Sequence, residues 1–291
     1  MDGILILDKP AGLTSHDCVN IARKVFNTRK VGHSGTLDPE ASGVLVLAIN
    51  RATRILEFLN QDDKVYRFTV RFNETTDTLD HTGTVTGQMK GHSIDGLERV
   101  LESFIGRYDQ TPPAYSAVKV RGRKLYEYAR ENKAIPNVPP RPIDVHSLVR
   151  ETDPARVDGF YDVTFRVHAS KGLYVRKLAS DLADALGTIA HTTMIRRLRA
   201  GHFKIEDSTT LEAMKAKKPG LIPMNEALVT MPEVVLDDAL TALVRHGRTI
   251  ELDRTEAMVR LVRNGRLIAI YEKESGARYR AKKVLETGGT P

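Results

Sequence analysis

Cysteine and tryptophan are nearly missing from this sequence of 291 residues, which has one cysteine and no tryptophan. The single Cys18 excludes an internal disulfide and any zinc or iron–sulfur site built from several cysteines. No stretch approaches the roughly 18–20 apolar residues of a membrane span, and the first residues show no basic-then-apolar signal segment. These absences predict a chain that works in the reducing cytoplasm, away from membranes.

The composition predicts a folded, mildly basic protein. Hydrophobic residues make up 41% of the chain, which is enough for a core, and the length suggests two domains at roughly 150 residues each. The net charge is +7, and the segment 111–143 alone holds +5 of it, with two anions against seven cations. The cations are Lys119, Arg121, Arg123, Lys124, Arg130, Lys133 and Arg141. Such a local basic segment favours contacts with phosphates.

Hydrophobic periodicity predicts an α+β chain without internal repeats. Apolar or alternating runs predict strands at 3–7, 44–49, 65–72, 115–120, 163–167 and 190–198. Helical spacing predicts helices after the N-cap pair Thr14-Ser15 and at 51–59, 97–105, 125–130 and 178–186. Short β-like pieces at 258–262, 267–271 and 280–285, separated by turn residues, predict a small β-rich second domain.

A loop between a helix and a buried strand carries the densest chemistry. Residues 30–39 place two glycines, His33, Ser34 and Asp38-Pro39 close together. Glycines let a backbone turn tightly and approach a ligand, and Pro39 keeps Asp38 out of helical geometry. An acid held in such a loop is a candidate catalytic carboxylate. Spacing alone favours Asp38 as the cap of the next helix or of a turn.

Several strings in order resemble one family. The string GHSGTLDPEASGVL at 32–45, preceded by GILILDKPAGLTSHD at 3–17, resembles the two signature segments of TruB-type tRNA pseudouridine-55 synthases. Further resemblances are KVYR at 64–67, TDTLD at 76–80, PPAYSAVK at 112–119 and SKGLYVR at 170–176. The sequence departs from the family at Asn50, where glycine is frequent, and at Leu173, where threonine is usual.

The resemblance implies a pseudouridine-synthase fold of the α+β class. Its central sheet would be mixed, largely antiparallel and flanked by helices. The catalytic domain would span 1–228, with the basic segment at about 111–143 as an RNA-gripping insertion, and 229–291 would form a small PUA-like RNA-binding domain. The implied activity is isomerisation of uridine 55 in the T-loop of tRNA to pseudouridine. It would need no cofactor, metal, guide RNA or protein partner, and we predict a monomer.

By the same resemblance, Asp38 is the catalytic nucleophile. It would attack either the ribose anomeric carbon or the pyrimidine ring, and the sequence leaves both open. Arg176 is predicted to pair with the ionised carboxylate, and Asp80 to hold Arg176 in place. Without the family, Arg176 at a solvated strand end and Asp80 in a simple turn remain open.

Four more residues are predicted to serve the flipped nucleotide. Tyr66 would stack on the target base and assist proton removal at carbon, and Tyr174 would be a second pocket tyrosine. His33 would occupy the space that the base vacates, and Lys9 would support the loop of Asp38. For these residues alone, core packing of the tyrosines and surface positions for His33 and Lys9 are the alternatives.

The basic segment is predicted to contact the RNA backbone of the T-arm. The residues assigned to these contacts are Lys119, Arg121, Arg123, Lys124, Arg130 and Arg141. The alternative is a flexible basic surface loop. Two other functions stay open: an RNA-binding or chaperone protein without catalysis, and a guide-RNA-dependent relative that modifies ribosomal RNA. Such relatives lack the long basic insertion, so the sequence favours the stand-alone form.

Overall fold

The structure is a computed structural model that describes residues 2–59, 63–116, 118–131 and 133–286. The predicted basic segment includes Ala117 and Asn132, which lie outside the described residues. The two predicted domains include residues 1, 60–62 and 287–291, which also lie outside them. The chain divides into two compact units. The first unit comprises Met1–Pro39, Val44–Gln61 and His202–Pro291, and the second comprises Glu40–Gly43 and Asp62–Gly201.

The described residues form α-helices and β-strands throughout. The strands are β1 (Gly3–Lys9), β2 (Val31–Ser34), β3 (Ser42–Ile49), β4 (Lys64–Phe72), β5 (Glu74–Thr76), β6 (Val85–Gln88), β7 (Gly106–Gln110), β8 (Lys119–Val120), β9 (Arg123–Lys124), β10 (Arg141–Arg150), β11 (Ala155–Val157), β12 (Phe160–Ala169), β13 (Ala190–Ala200), β14 (Phe203–Lys204), β15 (Thr209–Thr210), β16 (Glu233–Val235), β17 (Ile250–Glu251), β18 (Met258–Arg263), β19 (Arg266–Ser275) and β20 (Arg278–Val284). The helices are α1 (Ser15–Phe26), α2 (Leu56–Leu59), α3 (Leu97–Ser103), α4 (Leu125–Arg130), α5 (Val175–Ala185), α6 (Leu211–Ala216) and α7 (Asp238–Arg245).

The fold is α+β with a central mixed sheet, as predicted. In the second unit, residues 42–43 of β3 pair parallel with β13, and β13, β4, β12, β10 and β7 follow in antiparallel order. Alternate residues such as Phe68, Val163 and Phe165 face one side of this sheet and are fully buried. They pack with α3 and α5, because the apolar stripe of α5 presents Leu178 and Leu182 to the same cluster.

In the first unit, β1 lies between β15 and β3 in the sheet, and β2 pairs antiparallel with β3. The apolar run of β1 is buried along almost its whole length, so it forms a core strand as its composition predicts. Helix α1 begins where the sequence predicts, because Thr14 accepts a hydrogen bond from the backbone of Asp17 while the Asp17 carboxylate accepts one from Thr14. This reciprocal capping fixes the first turn of α1, the helix that precedes the loop of Asp38 in the sequence.

The C-terminal part of the first unit is rich in β-structure, as predicted. Its five strands follow the order β16, β18, β19, β20, β17 and enclose a separate apolar cluster with Tyr271 and Tyr279 fully buried. The turn at Asn264-Gly265 joins β18 to β19 with positive φ at both residues, 49° and 72°, as a tight hairpin requires. The assignment of this part to the PUA type, and the boundary at residue 228, stay predictions.

Three sequence predictions differ from the structure. Residues 50–55 form a 3-10 helix before α2, because the period of three places Ala52 and Ile55 on one buried side. The strand predicted at 115–120 is shorter in the structure, where β8 covers only Lys119–Val120. Tyr115 is not in a strand, because its carbonyl accepts a hydrogen bond from the Arg176 side chain instead of from a neighbouring strand. Residues 31–34, which the sequence analysis places in a loop, form β2, because they pair antiparallel with β3. The sequence analysis also did not predict other elements, including α6, α7, β7 and β10. No helix in the described ranges has the length and apolar character to span a bilayer.

Candidate active site

The loop that carries Asp38 is anchored on both sides of this residue. On one side, the buried Ser15 hydroxyl donates to the Leu37 carbonyl at 3.0 Å and accepts from the Leu37 amide at 2.9 Å. On the other side, the Lys9 ammonium donates to the Pro39 carbonyl at 2.8 Å. Asp38 itself is half-buried. Its carboxylate is therefore carried by a backbone segment that hydrogen bonds hold on both sides.

Lys9 is a buried cation that donates to three backbone carbonyls. Its side chain is fully buried, and the ammonium donates to Pro10 at 2.9 Å and Leu13 at 2.6 Å in addition to Pro39. The Gly12 amide donates to the same Pro39 carbonyl at 3.0 Å. Burying a lysine is costly unless its three donors are satisfied, and here they join β1 and the turn before α1 to the Asp38 loop.

Arg176 holds a fixed position at the start of α5. The residue is 5% exposed. Its two terminal nitrogens donate to the carbonyls of Thr78 and Tyr115, each at 2.8 Å, and its Nε lies 3.8 Å from the Asp80 carboxylate. The planar guanidinium has donors in a fixed fork, so these contacts set its orientation as well as its place.

Asp80 is arranged to face Arg176 by a group of threonines. One carboxylate oxygen of Asp80 accepts hydrogen bonds from the hydroxyls of Thr78 at 2.8 Å and Thr82 at 2.6 Å, while the other faces the arginine. Leu79 between them has a φ of 61°, a left-handed conformation that is unfavourable for this residue type. Strained backbone of this kind concentrates at functional sites, where surrounding contacts hold it.

Tyr174 is held through its backbone by Gln110, which the sequence analysis did not single out. The Gln110 side-chain amide accepts from the Tyr174 amide at 2.8 Å and donates to the Tyr174 carbonyl at 3.1 Å. Gln110 is 2% exposed, and no local pattern identifies it because its partner is distant in sequence. Tyr66 lies on β4, partly buried against the core of the second unit. His33 lies on β2 and is half-buried.

The basic segment folds into a small hairpin and α4. Strands β8 and β9 pair around a turn in which Arg121 has a φ of 52°. Arg123 forms ion pairs with Glu127 and Glu131 and lies over the Tyr128 ring. Lys124 and Arg130 each lie 5.3 Å from the centre of the Tyr126 ring. Arg141 opens β10, opposite Gln110 on β7. The described residues of the segment therefore carry these cations on a short hairpin, a helix and the start of β10.

The predicted site residues are distributed over both units. The first unit holds Lys9, His33 and Asp38, and the second holds Tyr66, Asp80, Tyr174 and Arg176. Lys9 contacts the residue next to Asp38, and Asp80 contacts Arg176. The ion pair between Asp38 and Arg176 stays a prediction, as do the roles of the tyrosines and His33 toward a nucleotide.

Two family descriptions match the chain in succession. Residues 23–175 match the TruB family pseudouridylate synthase N-terminal domain, and residues 176–229 match the tRNA pseudouridylate synthase B C-terminal domain. Among curated proteins, the chain is 37% identical to the tRNA pseudouridine synthase B of Streptococcus pyogenes serotype M1, across 98% of this chain and 99% of that protein. The serotype M3 protein is 36% identical over the same shares.

Solved structures show the same fold. The chain is similar to a chain of a Cbf5-Nop10-Gar1 complex, with a TM-score of 0.72 and 28% identity over 98% of this chain and 85% of that one. It is also similar to a chain of an H/ACA RNP bound to a substrate RNA containing 2'-deoxyuridine, with a TM-score of 0.70 and 25% identity over 97% and 84%. This chain belongs to the TruB family of pseudouridylate synthases.

Proposed function

We propose that this chain isomerises uridine 55 in the T-loop of tRNA to pseudouridine, with Asp38 as the nucleophile. The observation that carries the proposal is the half-buried Asp38 in a loop anchored at both neighbouring residues, within a chain of the TruB family. The relatives that match almost end to end are tRNA pseudouridine synthases by name, which favours tRNA as the substrate. The cytoplasm is then the place of action.

The reaction rearranges bonds without adding or removing atoms. The bond between N1 of uracil and the ribose anomeric carbon breaks, the base turns, and its C5 bonds to the same ribose carbon. The proton on C5 leaves and N1 gains one, so the product is an isomer. The Asp38 carboxylate would hold the reacting nucleoside covalently during this exchange, by attack either on the anomeric carbon or on the pyrimidine ring. Either route gives the same product.

The other residues receive roles that agree with their surroundings. Arg176, fixed by two carbonyls and Asp80, would stabilise the ionised form of Asp38. Tyr66 and Tyr174 would stack on the extruded base, His33 would fill the vacated space, and Lys9 would keep the nucleophile loop in place. The chain would act alone, without guide RNA or partner protein, because its basic segment supplies its own phosphate contacts.

The test is pseudouridine mapping in one unmodified tRNA transcript incubated with the purified protein alone. We expect modification at position 55. Asp38→Asn should lower turnover by at least about 10⁴-fold, the scale of removing a covalent nucleophile, while tRNA affinity measured by filter binding stays unchanged. Asp207→Asn, an exposed acid of the same unit, is the matched control and should retain activity.

Each other function corresponds to a different result. Tight tRNA binding without pseudouridine in the wild-type protein would contradict the proposal and favour an RNA-binding or chaperone function, which the basic segment also favours. Pseudouridine formed only after a guide RNA is added would indicate the guide-dependent branch. Full turnover by Asp38→Asn would refute the nucleophile assignment.

A further inference from the structure

Three potential metal ligands meet on the second unit, among residues that the proposed reaction does not use. The Asp63 carboxylate oxygen lies 2.9 Å from His146 Nε2 and 3.4 Å from His168 Nε2. All three ligand atoms lie within 4.8 Å of one another. The side chains are 42%, 42% and 30% exposed, respectively, so an ion from solution has direct access. We call these three residues the His–Asp cluster.

Neighbouring strands bring the His–Asp cluster together. His168 is on β12, His146 is on the adjacent β10, and Asp63 directly precedes β4 on the other side of β12. Along β10 and β12, Val145 pairs with Ala169 and Ser147 with His168, so His146 is the extra residue of a β-bulge. The bulge leaves the His146 and His168 rings side by side, with centroids 4.6 Å apart. Bulges are frequent next to functional sites, where they change the direction of a side chain.

The donor set selects for zinc or a similar transition ion. Two imidazole nitrogens and one carboxylate oxygen are borderline ligands that suit Zn²⁺, whereas Mg²⁺ and Ca²⁺ prefer oxygen alone. Zinc bonds these atoms at roughly 2.0–2.2 Å in a tetrahedron, which places ligand atoms a little over 3 Å apart. The separations of 2.9 and 3.4 Å are close to that requirement.

We propose that Asp63, His146 and His168 form a zinc-binding site with a water molecule as the fourth ligand. The ion would link β10, β12 and the start of β4, and it would stabilise the folded chain because it binds that state preferentially. The site is separate from the residues assigned to pseudouridine formation, so the proposal does not depend on the proposed function.

Arg199 is the neighbour that opposes metal binding. Its guanidinium nitrogen lies 2.9 Å from His168 Nε2, the atom that would bind zinc. The arginine is permanently charged, and the lone pair that accepts its hydrogen bond is the one that a metal needs. Arg199 must therefore turn away when zinc binds, and replacing it with Gln should tighten binding.

The experiment uses the untagged full-length protein after treatment with a chelator and dialysis. Cobalt is added first, because tetrahedral Co²⁺ with nitrogen ligands absorbs visible light much more strongly, and at longer wavelengths, than hydrated cobalt. Zinc is then titrated in competition with a chromophoric chelator to obtain stoichiometry and affinity. We expect one ion per chain, and a rise in the thermal unfolding temperature with zinc.

Variants identify the ligands. His146→Ala, His168→Ala and Asp63→Asn should each weaken zinc binding at least about 10-fold and remove the cobalt bands. His246→Ala changes an exposed histidine of the first unit and should leave both unchanged. Circular dichroism verifies that each variant is folded. The cobalt spectrum of the wild-type protein tests the site even if a variant does not fold. Absence of the cobalt bands in the wild-type protein, or unchanged zinc affinity in the three ligand variants, would overturn the proposal.

Discussion

At the scale of single residues, the buried cations Lys9 and Arg176 owe their positions to backbone carbonyls. Lys9 donates to three carbonyls and Arg176 to two. All of these acceptors are main-chain atoms, which remain when the side chain of the partner residue is substituted. Hydrogen bonds from charged donors are stronger than neutral ones, and they are directional. Both cations therefore act as fixed parts of the scaffold, in contrast with the exposed lysines and arginines of the surface.

His191 is a buried histidine that makes stability depend on pH. It is 3% exposed, and its Nδ1 lies 3.0 Å from the Glu74 carbonyl. Burial lowers its pKa below the ordinary value, and the carbonyl opposes this only in part. The unfolded chain therefore binds a proton first as pH falls through about 6.5. The stabilising contribution is complete above that pH and is lost as pH falls toward the lower pKa of the folded state.

We expect the free energy of unfolding of the wild-type protein to decrease between about pH 7.5 and 5 more steeply than that of His191→Asn. Asparagine retains a donor for the Glu74 carbonyl but does not titrate. Urea denaturation at several pH values measures the difference, with His246→Asn as the exposed control. Equal pH dependence in the wild-type and His191→Asn proteins would show that His191 does not have the lowered pKa.

At the scale of elements, the parallel pairing of β3 with β13 is a close backbone approach in the second unit that a glycine explains. Gly43 has a φ of 102° and pairs with Arg197. A Cβ at this position would overlap the Arg197 carbonyl oxygen and lie 2.8 Å from the Arg197 backbone nitrogen. Both atoms belong to the backbone of a strand whose Arg197 side chain is buried, so neither can move independently.

Gly43→Ala should therefore lower the free energy of unfolding by more than about 3 kcal/mol, a loss associated with severe packing or backbone conflict. Gly12→Ala is the control, since Gly12 also has positive φ, 84°, but nothing lies within 4 Å of the added Cβ. Its cost should be limited to about 1–2 kcal/mol of backbone strain. Urea denaturation compares the two, and similar losses would contradict the role of the close β3–β13 approach.

At the scale of the whole molecule, the segment 111–143 holds most of the net positive charge. Its cations differ in whether a carboxylate of the protein pairs with them. In the described part of the segment 111–143, Arg123 pairs with two glutamates, whereas Lys119 and Arg121 are exposed and form no ion pair with a carboxylate. Cations without a protein counter-ion release more ions when they bind phosphate, so they should dominate the salt dependence of RNA binding.

We expect the double variant Lys119→Gln and Arg121→Gln to reduce the slope of log affinity against log salt, if the chain binds tRNA as proposed. The reduction should be about 1 for each phosphate that the variant no longer neutralises. Arg123→Gln should reduce it less, because its charge is already balanced by Glu127 and Glu131. Filter binding over a range of salt concentrations gives the slopes. A larger effect of Arg123→Gln than of the double variant would contradict this division of the segment.

The sequence by itself determined the local features. The capping residues placed the start of α1, the alternation of β12 and the apolar runs of β1 and β3 placed core strands, and short motifs identified the family. Each of these depends on residues that are neighbours in the chain. Local patterns failed at Tyr115, whose carbonyl serves a side chain from α5, and at Gln110, whose partner is 64 residues away.

Only the tertiary structure decided which distant groups meet. Arg176 contacts the Thr78 carbonyl across 98 residues of sequence, and Lys9 contacts Pro39 across 30. The His–Asp cluster depends on the strand order that makes β4, β12 and β10 neighbours. A slip of one residue in strand register moves every side chain of that strand to the opposite face of the sheet. The register is fixed by packing of the whole sheet rather than by adjacent residues. For that reason the sequence predicts which residues carry the chemistry, while their partners and distances follow from the fold.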